Sequence, residues 1–272
     1  MIYFLQSLKT RPTGRVIAKS LGFRHWGTRR LYKGQAVDLV LRWGASDPVN
    51  AAIEIQPAAA IRRAANKWTT LTTLRAAGVS VPRFSTDPEI LQEDGFDVIY
   101  GRMKYGSQGR SMRIFEGVYP IGFQFYTGGI NVGREYRLHV IGDEVIRVQG
   151  KYLDHPEQNT CGGRIHNYAN GYRFRTPRQR LHARREQDAV AAVKALGLDF
   201  GAVDLIVDTE GNHYVLEVNT GPSCSPMTAN AYAQRLAALI AERTNGAYRP
   251  EVNARVFSQL VEEDAQPVWG GV

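Results

Sequence analysis

Apolar residues recur along this chain in two rhythms. IYFLQ (2–6) and DLVLRWG (38–44) are continuous apolar runs of strand length, and RVIAKSLGF between them has helical spacing with Gly22 as its stop. Residues 57–77 form the clearest helical tract: Pro57 suits a first turn, apolar positions recur at Ile61, Ala64, Ala65, Trp68, Leu71 and Leu74, and Gly78 follows. VSVPRF (79–84) reads as a strand, and FDVIYGRMKYGSQGRSM (96–112) as a strand entering a glycine loop. GFQFY (122–126) precedes REYRLHVIGDEVIRVQGKY (134–152), a hairpin turning at Gly142-Asp143. A helix is expected over 177–196, with Leu181, Val190, Val193 and Leu196 on one face and Gly197 closing it. GAVDLIVD, TEGN and HYVLEVN make a second hairpin, and 227–246 a last amphipathic helix; the tail beyond 250 has no period. Strand–helix–strand at the start and hairpins later place the chain in the α/β (α+β) class.

The second hairpin carries the sharpest chemical signal. A two-residue turn centred on Glu210-Gly211 pairs Thr209 with Asn212, Asp208 with His213 and Asp204 with Glu217. Two carboxylates then face each other about 5 Å apart at Cβ, among Ala, Val, Leu and Ile. Period two puts Asn219 on the same face as Glu217. A surface hairpin with solvated acids would tolerate this, as would an Asp–Arg pair in a core. A hard divalent cation such as Mg²⁺, held by Asp204, Glu217 and Asn219 with phosphates completing its shell, explains all three oxygens together.

YGSQGRS (105–111) supports the last reading. Gly106 and Gly109 bracket Ser107 and Gln108, a loop able to turn backbone N–H groups toward an anion, and Arg102 and Lys104 share one face of the strand before it. It has neither the GK[ST] ending of a Walker loop nor a G-x-G-x-x-G pattern. Net charge is +8 and only seven of the 34 basic residues are Lys, so arginine-mediated contact with carboxylates or phosphates is favoured.

Composition otherwise narrows the field. No apolar run of about 18 residues exists, so no membrane-crossing helix is expected. MIYFLQSLKTRP lacks the basic start of a leader, and Cys161 and Cys224 fit no metal or disulfide spacing. A cytoplasmic protein is expected.

Taken in order, NKWTTLTTLRAAGVSVPRF, VIYGRMKYGSQGRSM, FQFY, REYRLHVIGDEVI and AVDLIVDTEGNHYVLEVNTGPS resemble the ATP-grasp superfamily. The style is that of the ribosomal-protein glutamate ligase type and of phage-encoded carboxylate–amine ligases, in collinear order from about residue 55 to about residue 240. The resemblance implies an ATP-grasp fold. An N-terminal α/β pre-grasp layer (1–66) would precede a small central subdomain with the glycine loop (67–125). A C-terminal antiparallel-sheet subdomain with the metal site (126–250) and a tail (251–272) would follow. It implies ATP and Mg²⁺ as cofactors, a carboxylate and an amine as substrates, and an amide product formed through an acyl phosphate, in the host cytoplasm if phage-encoded. Lys67 would contact the nucleotide, Gly106, Ser107, Gln108 and Gly109 would close over phosphates, and Gln124, Phe125 and Tyr126 would meet adenine through their backbone. Where the family has a second nucleotide lysine, four residues before Gly106, this chain has Arg102; Lys104 is the other cation placed for that role. Arg137 would lie near the transferred phosphate, with Lys151 on the next strand, and Arg137 or Arg164 would steady an oxyanion. Asp204, Glu217 and Asn219 match the magnesium ligands.

Two other functions fit the same residues: a small-molecule kinase, and a basic nucleic-acid-binding protein with a vestigial ATP site. The second draws on the basic run RFRTPRQRLHARR (173–185), which reads first as a solvated helix face. His139, in an apolar strand, reads as structural. Cys224 has no neighbouring base, and Arg42, at the end of a strand, is a candidate contact for the carboxylate substrate.

Overall fold

The computed structural model describes residues 1–258 apart from 9–10, 29–31, 33, 107–111, 118–121, 160–165 and 178. Three sheets organise them. The first is parallel, in the order β2 (His25–Gly27), β1 (Ile2–Gln6), β3 (Val37–Trp43), β4 (Ala51–Ile55), with α1 (Arg11–Ser20) crossing from β1 to β2. One face, carrying Phe4, Leu39, Leu41 and Trp43, packs with α1 and with α6 (Pro226–Arg243) into the first core. Trp43 stacks on Phe200 at 5.2 Å and meets Tyr232 edge-on at 5.1 Å.

The tract 57–77 is two helices rather than one. α2 (Ala58–Ala65) ends at Asn66, which is extended and caps α3 (Lys67–Ala76) by accepting from the Thr69 N–H. An asparagine side chain that satisfies a free helical N–H starts a new helix more readily than it continues an old one. Residues 79–83 are not a strand; only Phe84–Ser85 (β5) is, although the Ser80 carbonyl accepts from Val215 N–H.

β5 joins β8 (Phe125–Gly128), β6 (Val98–Arg102) and β7 (Met112–Glu116) in an antiparallel middle sheet, with α4 (Pro88–Glu93) beside it. The third sheet runs β11 (Tyr172–Arg175), β10 (Glu144–Leu153), β9 (Val132–Ile141), β12 (Phe200–Asp208), β13 (His213–Asn219). Its back face buries Leu138, Val140, Val203, Leu205, Val215 and Val218 against α5 (Ala183–Ala195) and α2. α5 starts at Ala183, so the helix expected over 177–196 lacks its first six residues, and the basic run is divided between β11 and the first turn of α5.

The β12–β13 hairpin corrects the register near its turn. Asp208 N–H donates to the Asn212 carbonyl and Val207 faces His213, so the turn holds three residues, Thr209 to Gly211. Gly211 takes φ +94, the left-handed conformation such a turn requires at its last position. Asp208 therefore does not pair with His213, nor Thr209 with Asn212. Beyond Leu205 a bulge at Leu216 adds one residue to β13, and Asp204 faces Glu217 after all.

Candidate active site

The bulge explains how the site strand serves two masters. Val215 and Val218 both enter the core behind the sheet, a spacing of three that regular alternation forbids. With Leu216 as the extra residue, Leu216, Glu217 and Asn219 share the opposite face, toward the cleft. Leu216 was missed in the sequence; the Val215–Val218 spacing is the signal that would have found it.

Asp204 sits between Arg137 on β9 and Glu217 on β13. Arg137 Nε donates to Asp204 Oδ1 at 2.6 Å and Nη2 to Oδ2 at 2.8 Å, a bidentate pair. Burial pushes the Asp204 carboxyl up, and the guanidinium overrides it, holding the carboxyl below its ordinary range. Burial opposes the Arg137 charge in turn, and Asp204 overrides that, raising the guanidinium above its usual value. The Asp–Arg pair considered as an alternative to the cation thus exists, and the two acids still converge with Asn219. Asn219 Nδ2 reaches Asp204 Oδ2 at 3.2 Å and Glu217 Oε1 at 3.3 Å, and Lys67 Nζ meets Glu217 Oε2 at 2.8 Å. Lys67 is the first residue of α3, and its backbone N–H donates to the Lys104 carbonyl at 2.8 Å. One residue therefore spans the strand leading to the glycine loop and the strand bearing the acids.

Of the two cations before the glycine loop, Arg102 turns inward. It donates through Nε to Thr127 Oγ1 at 2.9 Å; burial lowers its guanidinium and the nearby Glu217 charge opposes that. Lys104 contributes its backbone, donating to Gln124 Oε1 at 2.7 Å. Gly106 has φ +148; Ser107, Gln108 and Gly109 lie outside the described residues, as does Arg164. Gln124 is exposed, whereas Phe125 and Tyr126 commit their side chains to the core and leave only backbone for a ligand.

Beside Arg137 lies a second cluster, of which only Lys151 was expected from the sequence. The Lys151 ammonium is ion-paired with buried Glu135 and donates to the His166 carbonyl at 3.0 Å; His166 Nδ1 is 2.8 Å from the other Glu135 oxygen. Burial raises the Glu135 carboxyl, and His166 and Lys151 together bring it below its usual range. Phe174 carries Arg137 at 4.4 Å and Lys151 at 5.2 Å over its ring, tying the two clusters together.

His139 is structural in its contacts: fully buried, it bonds Gln149 at 2.8 Å and Tyr232 at 3.2 Å, and burial pushes it down to about 4. Arg42 pairs with Glu54 at 2.9 Å rather than with the cleft residues. Cys224 is buried.

The donor set suits magnesium. Two carboxylates and a carboxamide, all hard oxygen ligands once Asn219 turns its amide over, converge at one place. Among the described residues no group of three or more His, Cys, Asp and Glu side chains is placed to hold a metal ion; here Asp204 and Glu217 form a pair, and the third oxygen comes from Asn219.

Comparison with known proteins bears on the fold. No family model matches the chain. A D-alanine–D-alanine ligase of Pseudoalteromonas translucida is 32% identical over 129 residues, 41% of this chain and 40% of that protein. The chain thus spans about 40% of the length of the curated relative it matches. ATP-grasp ligase PsnB with minimal precursor, Mg and ADP superposes with a TM-score of 0.63 at 16% identity, covering 89% of this chain and 97% of that one. The D-alanine–D-alanine ligase of Bacillus anthracis gives 0.61 at 13% identity, covering 98% and 100%. An N5-carboxyaminoimidazole synthetase from Staphylococcus aureus with ADP gives 0.60 at 14%, covering 86% and 73%.

Proposed function

We propose that this chain, which has the ATP-grasp fold, is an ATP-dependent carboxylate–amine ligase. The observation that carries the proposal is the convergence of Asp204, Glu217 and Asn219 on two facing strands, with Arg137 and Lys67 at their sides. Asp204, Glu217 and Asn219 would hold magnesium, which when bound neutralises phosphate charge. Lys67, at the start of α3, and Arg102, at the end of the strand before the glycine loop, are assigned to the phosphates. Gly106, Ser107, Gln108 and Gly109 are assigned to covering them, with Lys104 and Gln124 holding the strand that leads there. Leu216 gives the cleft an apolar surface beside Glu217, suited to a base, and the backbone of 124–126 is assigned to its edge.

A carboxylate oxygen attacks the γ-phosphorus, ADP departs, and the carboxylate becomes an acyl phosphate. The amine then attacks the carbonyl, phosphate leaves with the former carboxylate oxygen, and the amine loses a proton to solvent. Arg137 stands beside the acids to steady the oxygen charge that develops, with Lys151 next along the sheet and Arg164 assigned to the same task. The carboxylate and amine are small molecules, peptides or protein termini; a minimal precursor accompanies PsnB. The subdomain division at 66/67, 125/126 and 250/251 and a cytoplasmic place of action belong to the same proposal. Among the described residues no helix is long and apolar enough to cross a membrane.

The test offers carboxylates with ATP and Mg²⁺ but no amine, and adds hydroxylamine. A hydroxamate, with oxygen-18 passing from carboxylate to phosphate, is expected, and both are lost in Glu217→Gln. ADP formed with no oxygen-18 in phosphate would instead identify a kinase acting on a hydroxyl.

A further inference from the structure

Every carboxylate oxygen of the acid pair already has a protein donor. Asp204 Oδ1 accepts from Arg137, Oδ2 from Arg137 and Asn219, Glu217 Oε1 from Asn219, and Glu217 Oε2 from Lys67. An oxygen that accepts from a single donor keeps a further lone pair, but a divalent cation entering here meets the positive charges of Arg137 and Lys67 and the amide hydrogens of Asn219, and the least anchored of these gives way first. The donors are not equal. Arg137 is fixed by two bonds and by Phe174 beneath its guanidinium. Asn219 needs only to turn its amide over to become an oxygen donor. Lys67 holds Glu217 by a single ion pair at the end of a flexible stem, with side chains 20% and 37% exposed.

We infer that Lys67 is a positioning residue that occupies the metal's place on Glu217 in the nucleotide-free chain. The inference rests on the nucleotide reading above. An ammonium and a divalent cation repel each other across a shared carboxylate oxygen, so free metal meets a site closed by a cation. A nucleotide phosphate offers Lys67 a second anionic partner within reach of its stem. When Lys67 transfers to it, Glu217 Oε2 is released at the moment the metal arrives with the nucleotide. The order of binding follows: metal and nucleotide enter together, and neither alone completes the cleft. The backbone bond from Lys67 N–H to the Lys104 carbonyl is independent of the side chain, so α3 stays tied to the glycine-loop strand during the exchange.

The test measures Mn²⁺ binding by electron paramagnetic resonance on the full chain, without nucleotide and with ADP. Wild type is expected to bind Mn²⁺ weakly alone and at least tenfold more tightly with ADP, each tenfold being about 1.4 kcal/mol. Lys67→Met keeps the stem and removes the charge; it should bind nucleotide-free Mn²⁺ about fivefold more tightly than wild type, the scale of a partly exposed ion pair. The same variant should bind ADP less tightly, and the gain in Mn²⁺ affinity on adding ADP should shrink. Lys67→Gln is the second variant, and Lys67→Arg, which keeps the charge, should retain weak Mn²⁺ binding. Nucleotide-free Mn²⁺ affinity equal to or below wild type in folded Lys67→Met and Lys67→Gln overturns the exchange while leaving the nucleotide site standing. Mn²⁺ that binds wild type neither alone nor with ADP overturns both.

Discussion

Arg42 and Arg137 each carry a positive charge into the protein, and they do so on different terms. Arg137 lies in the third sheet with a bidentate carboxylate in front of it and an aromatic ring beneath. Arg42 lies in the parallel sheet with one bond to Glu54, and among the described residues its Nε and Nη1 atoms have no hydrogen-bond partner. The Arg137 and Asp204 side chains are only 17% and 9% exposed, while Glu54 is 36% exposed and can hydrate. A buried charge matched by a buried charge is a mutual dependence: removing either partner strands the other. Where the partner is half-exposed, removing the buried charge leaves behind an acid that water can reach.

The comparison breaks most visibly at Arg137. Arg137→Met should destabilise the chain by about 3–5 kcal/mol, measured by urea unfolding, because Asp204 is left charged and enclosed. Adding Asp204→Leu should recover much of that loss, and a double variant as unstable as the sum of the singles would show that the two side chains are not coupled.

The same sheet supplies the next effect. His139 titrates well below its ordinary value of 6.5, at about 4. Above pH 6.5 both folded and unfolded chains hold it neutral. As pH falls from 6.5 to 4 the unfolded chain takes up the proton first, so stability falls with pH, by about 3 kcal/mol in all. His139→Gln should flatten the stability profile in that window, and an unchanged slope would remove His139 from the account. The depressed Asp204 carboxyl acts at lower pH: its contribution is present above its unfolded value and is lost as pH falls through the folded one.

Glu217→Gln should weaken Mg·ADP binding by about tenfold, or about 1.4 kcal/mol, with unfolding changed by less than about 1 kcal/mol, since this acid is half-exposed. Calorimetry and urea unfolding together separate a ligand from a structural group. The smallest effect is expected at Arg42, where Arg42→Met should stay within about 1 kcal/mol of wild type, because an apolar side chain of similar length removes two unpartnered donors. A loss on the scale of Arg137→Met would erase the contrast between the two arginines.

The sequence allowed Asp204 and Glu217 to be placed opposite each other, but partly through two errors that cancel. A two-residue turn is one residue too short, and the unsuspected bulge at Leu216 supplies the one that was missing. Helices with caps and stops, such as α6 between Ser225 and Thr244, were legible because their signals are local. The break at Asn66 was not, because Ala64, Ala65 and Trp68 continue the apolar rhythm through it; only the capping bond to Thr69 marks the new start. Strands β2 and β4 were missed for a related reason: HWG and AAIEI are short and acquire their meaning from neighbours in the sheet. The Glu135–Lys151–His166 cluster joins three separate segments, and no spacing along the chain announces it.

The bulge sets the phase of β13. From the turn to Val215, the strand keeps time with the core behind it; from Glu217 onward it keeps time with the cleft in front. Leu216 is the beat inserted between them. The two halves of β13 are thereby decoupled: a residue gained or lost in the Thr209–Gly211 turn perturbs the half that answers to the core, while Glu217 and Asn219 take their alignment from Asp204 and Ala202 across the ladder. The far end is pinned as well, since the Gly44 N–H donates to the Thr220 carbonyl and Gly221 lies so close that a Cβ there would come within 2.7 Å of Gly44 N. Anchored at its end and buffered at its middle, the site strand is insulated from the length of its own turn.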